Sequence, residues 1–438
     1  MALQGVENLA RLPELKKKIL WTFLLLAVYR VGIHVPIPGV NASALAEFFQ
    51  QANRTLFGLF DMFSGGGLNR LSIFTLGIMP YISASIVMQL LTVVSPQLAR
   101  LQKEEGAQGR KKITQYTRYG TVLITVIQGL GIAVGLESMS SPVTHSPLVT
   151  QTGVGFMLMT AVTLTTGTVF LMWLGEQITD KGIGNGISLI IFAGIVSGLP
   201  RGIGNTFRLV GQGEMSPLVL LLLVAVMAGV IVAIVFMERG QRRIPIQYAK
   251  RVVGRKMYGG QTTHLPLRIN TAGVIPPIFA SSILLFPATI GNFYQAEWVR
   301  NLSQWFHPTS VVYNILYISM IVFFCYFYTA IIFDPKEIAE NVRKQGGFVP
   351  GIRPGQKTRE YLDRVLARLT LWGAIYISAV CVLPQILISQ FNVPFYFGGT
   401  SILIVVGVAM DFMSQVESYM ISRQYEGLLG KSRIKGRS

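Results

Sequence analysis

The sequence predicts an all-α polytopic membrane protein with ten transmembrane helices in two inverted five-helix halves. Three observations predict it. Ten apolar segments recur along the 438 residues, most of them near the ~20 residues a helix needs to cross a hydrocarbon core. Of the 38 Lys and Arg residues, 32 sit in every other connection between those segments or at the two ends. The chain is 51% hydrophobic with a mean hydropathy of +0.50, and only 13% of it is charged.

The segments span residues 19–37, 71–94, 119–136, 153–175, 183–199, 217–237, 271–291, 311–333, 369–388 and 395–413. Segment 183–199 is short, so tilt or shielding by neighbours is expected there. Five spans on each side of residues 199–216 give halves of opposite orientation, because an odd number of crossings inverts the second. The halves are therefore set at 1–199 and 200–438. Pro200, Gly202, Gly204, Gly211, Gly213 and Pro217 lead us to expect irregular backbone at that waist.

Charge fixes the orientation. Positive connections stay cytoplasmic, which places both ends of the chain on the cytoplasmic side. The opposite connections carry five basic residues, and Arg30 lies inside the first segment. Lys16, Lys17 and Lys18 lead into an apolar stretch too long for a signal-peptide core, so that span is expected to be retained. Cys325 and Cys381 both lie inside apolar spans, where packing is the expected role.

Two cytoplasmic connections are large, at 238–270 and 334–368, and each carries eight basic residues. Alternation around Ile244, Ile246 and Tyr248 predicts a strand, with a turn at Gly259-Gly260. The second connection predicts a short helix at Pro335, a break at Gly346-Gly347 and a restart after Gly355. An ordinary positive-inside surplus explains basic loops, but loops of this size point also to a docking partner. The outer connection contains FGLFDMFSGGGLNRLSIF. Its apolar run is too short to span before Ser64, and Gly65, Gly66 and Gly67 allow a sharp reversal. Two structures fit that pattern: a half-helix dipping inward, or an amphipathic helix on the outer surface.

Several motifs together resemble the bacterial SecY family: MPYISASIVMQLL, QYTRYGT, WLGEQITDKGIGNGISLIIFAGI, ERGQRR, THLPLRIN, FVPGIRPG and PFYFGGTSILIVV. The resemblance runs from about residue 10 to the end. It implies a central pore that conducts unfolded polypeptide across the cytoplasmic membrane and releases transmembrane segments sideways into lipid. It places a pore ring on Ile78, Ile82, Ile187, Ile191, Ile278 and Ile404. The spacing is coherent, since residues four apart share a helix face and an apolar collar excludes hydrated ions by dewetting. Without the resemblance these would read as ordinary lipid-facing or packed isoleucines.

The resemblance also implies a plug at 57–70 hinged at Ser64, Gly65, Gly66 and Gly67. It implies a lateral gate with polar residues Ser83, Gln128 and Asn270, for which interhelical hydrogen bonding is the plainer explanation. The basic loops become a docking surface for the SecA motor ATPase and for the ribosome, including its RNA. Arg242, Arg243, Lys250, Arg251, Arg255, Lys256 and Arg353 are the candidates, and Arg353 stands out between glycines and prolines. SecE and SecG are the implied membrane partners, signal peptides and nascent membrane proteins the implied cargo, and the lipid bilayer the surroundings.

No cofactor is expected and no enzyme activity. His34, His145, His264 and His307 are scattered, and the LGKS at 429–432 lacks the glycine and the preceding strand of a phosphate loop. A secondary solute transporter would share ten spans and inverted halves. It would also need carboxylates inside the membrane, whereas Glu176, Asp180 and Asp411 lie near cytoplasmic ends.

Overall fold

The computed structural model describes residues 13–41, 43–45, 47–48, 61, 64–104, 106–138, 146–150, 152–213, 216–248, 251–253, 256–258, 262–293, 310–391 and 399–432. Ten long helices stand where spans were expected. In the first half they are α1 (Pro13–Gly32), α2 (Met79–Val94), α4 (Gly106–Ser138), α5 (Val154–Lys181) and α6 (Gly186–Gly211). In the second they are α7 (Pro217–Arg239), α8 (Ile275–Phe293), α9 (Val311–Ile332), α11 (Gln356–Phe391) and α12 (Gly399–Ser432). Two short helices, α3 (Pro96–Glu104) and α10 (Pro335–Lys344), lie in connections.

Among the described residues, seven helices are long and apolar enough to cross a membrane, and Met79–Val94 and Ile275–Leu284 are shorter apolar stretches. The helix α1 carries Lys16, Lys17 and Lys18 near one end and Arg30 near the other.

Helix starts follow local chemistry. The Asn185 side chain accepts from the Ile187 and Ser188 amides to open α6, and Ser216 does the same for Leu218 ahead of Pro217. Asp334 caps α10 through the Lys336 and Glu337 amides, with Pro335 in the first turn. These side chains satisfy amides that a helix start leaves without partners.

The waist differs from expectation. Helix α6 continues through Pro200 to Gly211, so the short segment 183–199 is only its first part. The helix passes the boundary at 199, and the connection narrows to 212–216. A proline inside a helix removes one hydrogen bond, but a long helix retains the rest of its ladder. Composition exaggerated the break.

One apolar core joins the two halves, from Tyr29, Phe74 and Ile82 across Ile191 to Ile278, Phe324 and Ile404. A second core gathers the end of α4 and the start of α5, built from Ile37, Leu68, Leu71, Leu136, Val149 and Phe156. Across α4 and α5, the Arg118 guanidinium donates to both Glu176 carboxylate oxygens, at 2.9 and 2.7 Å.

The two large basic connections form one unit. Strand β1 (Gln241–Tyr248) pairs antiparallel with β4 (Thr262–Arg268) and with β5 (Gly347–Phe348), in the order β4-β1-β5. The register runs Gln241 opposite Arg268 to Gln247 opposite Thr262, and Tyr248 sits opposite Gly347. A separate hairpin joins β2 (Arg251–Val253) to β3 (Lys256–Tyr258). Ile244 and Leu267 bury one sheet face against Ala339, Leu362 and Leu366 of α10 and α11. The expected strand, short helix and restart after Gly355 are all present. The expected Gly259-Gly260 turn lies outside the described residues.

Candidate functional site

The six ring candidates meet in the central core. Ile78, Ile82, Ile191, Ile278 and Ile404 are all buried, Ile404 completely, and Ile187 packs against them half-buried. They arrive from four helices or their ends: Ile78 caps α2 and Ile82 lies in its first turn, Ile187 and Ile191 lie on α6, Ile278 on α8 and Ile404 on α12. Ile187 also faces the neighbouring helix, because its Cγ1 lies 3.1 Å from where a Cβ on Gly175 would stand. The absent side chain on α5 makes that room.

The four hinge candidates lie inside the first half. Gly65 and Gly66 hold positive φ of 70° and 90°, the left-handed backbone that glycine adopts without penalty. Ser64, Gly65 and Gly67 are buried and Gly66 is half-buried. A Cβ on Gly65 would stand 2.7 Å from the Tyr29 hydroxyl and 2.9 Å from the Gly194 Cα, so the hinge threads between α1 and α6 with no spare space. Residues 57–60, 62 and 63 of the same segment lie outside the described residues.

Two side chains of α1 grip this hinge. The Tyr29 hydroxyl donates to the Ser64 carbonyl at 3.3 Å. The Arg30 Nη1 donates to the Gly65 carbonyl and to the Ser197 Oγ, both at 2.9 Å. The Ser197 hydroxyl in turn donates to the Gly194 carbonyl at 2.7 Å. Arg30 was visible in the sequence as a cation inside an apolar segment. Its partners were not, since Ser197 is 167 positions away.

Of the gate candidates, Ser83 on α2 and Gln128 on α4 are half-buried within the first half. Asn270 is buried ahead of α8. Its amide donates to Glu238 on α7 and to the Gly273 carbonyl, and its oxygen accepts from the Gly273 amide. These partners all belong to the second half. They shape a 630 Å³ cavity with Arg239, Arg268, Asp411 and Glu417 among its lining. Where α2 faces α8, Ser282 approaches the Met79 sulfur at 3.9 Å.

The described docking candidates lie on the sheet unit and its neighbouring hairpin and turn. Arg242 and Arg243 are exposed on β1, Arg251 and Lys256 sit in the small hairpin, and Lys250 and Arg255 lie outside the described residues. Arg353 is exposed in a turn whose backbone is held. The Ile352 amide donates to the Val349 carbonyl at 3.0 Å. The buried Thr358 hydroxyl donates to the Arg353 carbonyl, also at 3.0 Å. Gly351 and Gly355 flank it with φ of 78° and 99°. Thr358 was not singled out in the sequence, because a lone threonine in a helix's first turn carries no signal of what it holds.

The comparisons agree with this geometry. A SecY family model matches residues 72–413. The protein translocase subunit SecY of Escherichia coli (strain K12) is 53% identical over 429 residues, covering 97% of this chain and 96% of that one. A solved structure from a study of the plug domain of the SecY protein aligns with a TM-score of 0.63 at 17% identity, covering 93% of each chain. The channel of a canine ribosome–channel complex from the endoplasmic reticulum aligns with a TM-score of 0.58 at 16% identity, again covering 93% of each. At those identities the two structures speak for the fold alone. The full-length match to a translocase subunit, together with a family model spanning most of the chain, places the protein in the SecY family of channel-forming protein translocase subunits.

Proposed function

We propose that Ile78, Ile82, Ile187, Ile191, Ile278 and Ile404 form the closed constriction of this translocase channel. The observation that carries the proposal is that all six, from both halves, belong to or pack against one apolar core. Six branched apolar side chains offer no hydrogen bond to a hydrated ion, so the constriction stays dewetted. A polypeptide displaces the collar by parting the two halves. Residues 57–70 act as the plug, turning on Ser64, Gly65, Gly66 and Gly67. Apolar segments of signal peptides and nascent membrane proteins leave for lipid between α2 and α4 on one side and α8 and α9 on the other. Ser83 and Gln128 tune that exit, and Asn270 acts from its cytoplasmic end.

The two five-helix halves are inverted, with α6 carrying the first half past the expected 199/200 division to Gly211, and both ends of the chain lie on the cytoplasmic side of the bacterial cytoplasmic membrane. SecE and SecG accompany the channel. SecA and the ribosome dock on the cytoplasmic unit through Arg242, Arg243, Lys250, Arg251, Arg255, Lys256 and Arg353. Guanidinium groups suit phosphate and carboxylate alike.

The test of the ring is to replace Ile82, Ile191, Ile278 and Ile404 together by Ser and record conductance in planar bilayers at equal insertion. The resting channel should leak ions, because hydroxyls wet the constriction. The same change at lipid-facing isoleucines should not. A four-fold variant that stays tight after 57–70 is also deleted would refute the ring. Docking has its own test: Arg353→Glu should slow motor-driven transport while the channel inserts normally, and unchanged motor and ribosome affinity would count against it.

A further inference from the structure

We infer that Arg30 is a positioning residue that latches the hinge in the closed pore, with Ser197 as its second seat; this rests on the plug reading of 57–70. The hinge is knit internally. Ser64 Oγ donates to the Asp61 carbonyl and accepts from the Leu68 amide. The Gly66 amide donates to the Asp61 carbonyl at 2.9 Å, and the Asp61 carboxylate accepts from the Asn69 backbone amide and side chain. Those bonds travel with the segment if it moves. Beyond it, the Ile37 amide donates to the Leu71 carbonyl and the Ile73 amide to the Val35 carbonyl, which fixes the far end as an anchor.

The bonds that must break for the hinge to leave are those to the helices. Among the described residues these include the Tyr29 hydroxyl on the Ser64 carbonyl and the Arg30 guanidinium on the Gly65 carbonyl. The second is charge-assisted and the stronger kind. Release of a half-buried cation from its acceptor carries a cost. Arg30 avoids that cost because its Nη1 already reaches the Ser197 hydroxyl on α6. Release of Gly65 therefore leaves the guanidinium seated. The latch has a closed state with two acceptors and an open state with one, and Ser197 keeps the difference small enough for passage to be reversible.

The experiment uses the complete translocase reconstituted in planar bilayers, with Arg30→Met and Arg30→Lys in the full chain and in a chain lacking 57–70. Arg30→Met should raise resting ion conductance by about tenfold or more, the range of one lost charge-assisted hydrogen bond. Arg30→Lys should give a smaller rise. Without 57–70, Arg30→Met should add nothing, which a general packing role would not produce. Ser197→Ala should act in the opposite sense, slowing motor-driven transport with no added leak, because the open state loses its seat. Parent-like conductance of Arg30→Met, an equal rise in the deleted chain, or a leak from Ser197→Ala would each overturn the latch. If deleting 57–70 alone leaves the resting conductance unchanged, the plug reading falls and the latch with it.

Discussion

The two halves of the molecule meet along two seams built from different interactions. On one side, α12 leans on the first half at the cytoplasmic end. The Gly184 amide donates to the Gln415 side chain at 2.9 Å, and the Tyr419 hydroxyl donates to Glu14 at 3.2 Å. The Lys18 ammonium lies 4.9 Å from the Tyr419 ring centre, and Leu15, Ile183 and Val416 form a small core there. On the other side, α8 faces α2 and α4 through Ile82, Ile278 and Phe279, with the Ser282–Met79 approach its polar contact among the described residues. Hydrogen bonds fix a register because they are directional. Dispersion contacts between apolar faces do not, and each is individually weak. We expect the first seam to pivot and the second to part.

Clamping each seam breaks or sharpens this contrast most strongly. Met79→Cys with Ser282→Cys, joined by a short bifunctional thiol reagent, should abolish transport. Ile183→Cys with Val416→Cys, joined the same way, should leave transport near the parent's rate. Loss of transport from both clamps would erase the distinction. Removing packing at the pivot comes next. Leu15→Ala should cost about 2–4 kcal/mol, measured as a lower midpoint of unfolding in detergent. Gly184→Ala should cost about 1–2 kcal/mol, because φ there is 93° and a Cβ would press on Leu189 Cδ1 at 2.9 Å. The smallest effects are the most discriminating pair. Gln415→Ala should cost about 1 kcal/mol by leaving the Gly184 amide without its acceptor, whereas Ser282→Ala at the parting seam should shift the midpoint by less than about 0.5 kcal/mol.

Spans were legible because hydrocarbon thickness demands long apolar helices. The strand at Ile244 and Ile246 was legible because one face is buried and the other is not. Pro200 misled, because proline signals a break only when the helix around it has nothing else to hold it. The pairing of Gly184 with Gln415 was invisible, since 231 positions separate them and neither residue type names its partner. Asn270 illustrates the same gap. Its polarity was evident, yet only coordinates show it tied to Glu238 and Gly273. Arg30 was legible as an anomaly and not as a latch.

The sheet order β4-β1-β5 has a consequence for how the chain is made. Strand β1 finds β4 almost at once, but Tyr248 must wait for Gly347, with α8 and α9 to be laid down between them. At about 5–20 residues per second, β1 spends some ~5–20 s of synthesis with one edge unpaired. An unpaired edge invites association with other strands. The strand meets that interval with Arg242 and Arg243 exposed and a proline at position 245, features that blunt an edge against self-association. The basic surface proposed for docking in the finished molecule thus also protects the nascent one.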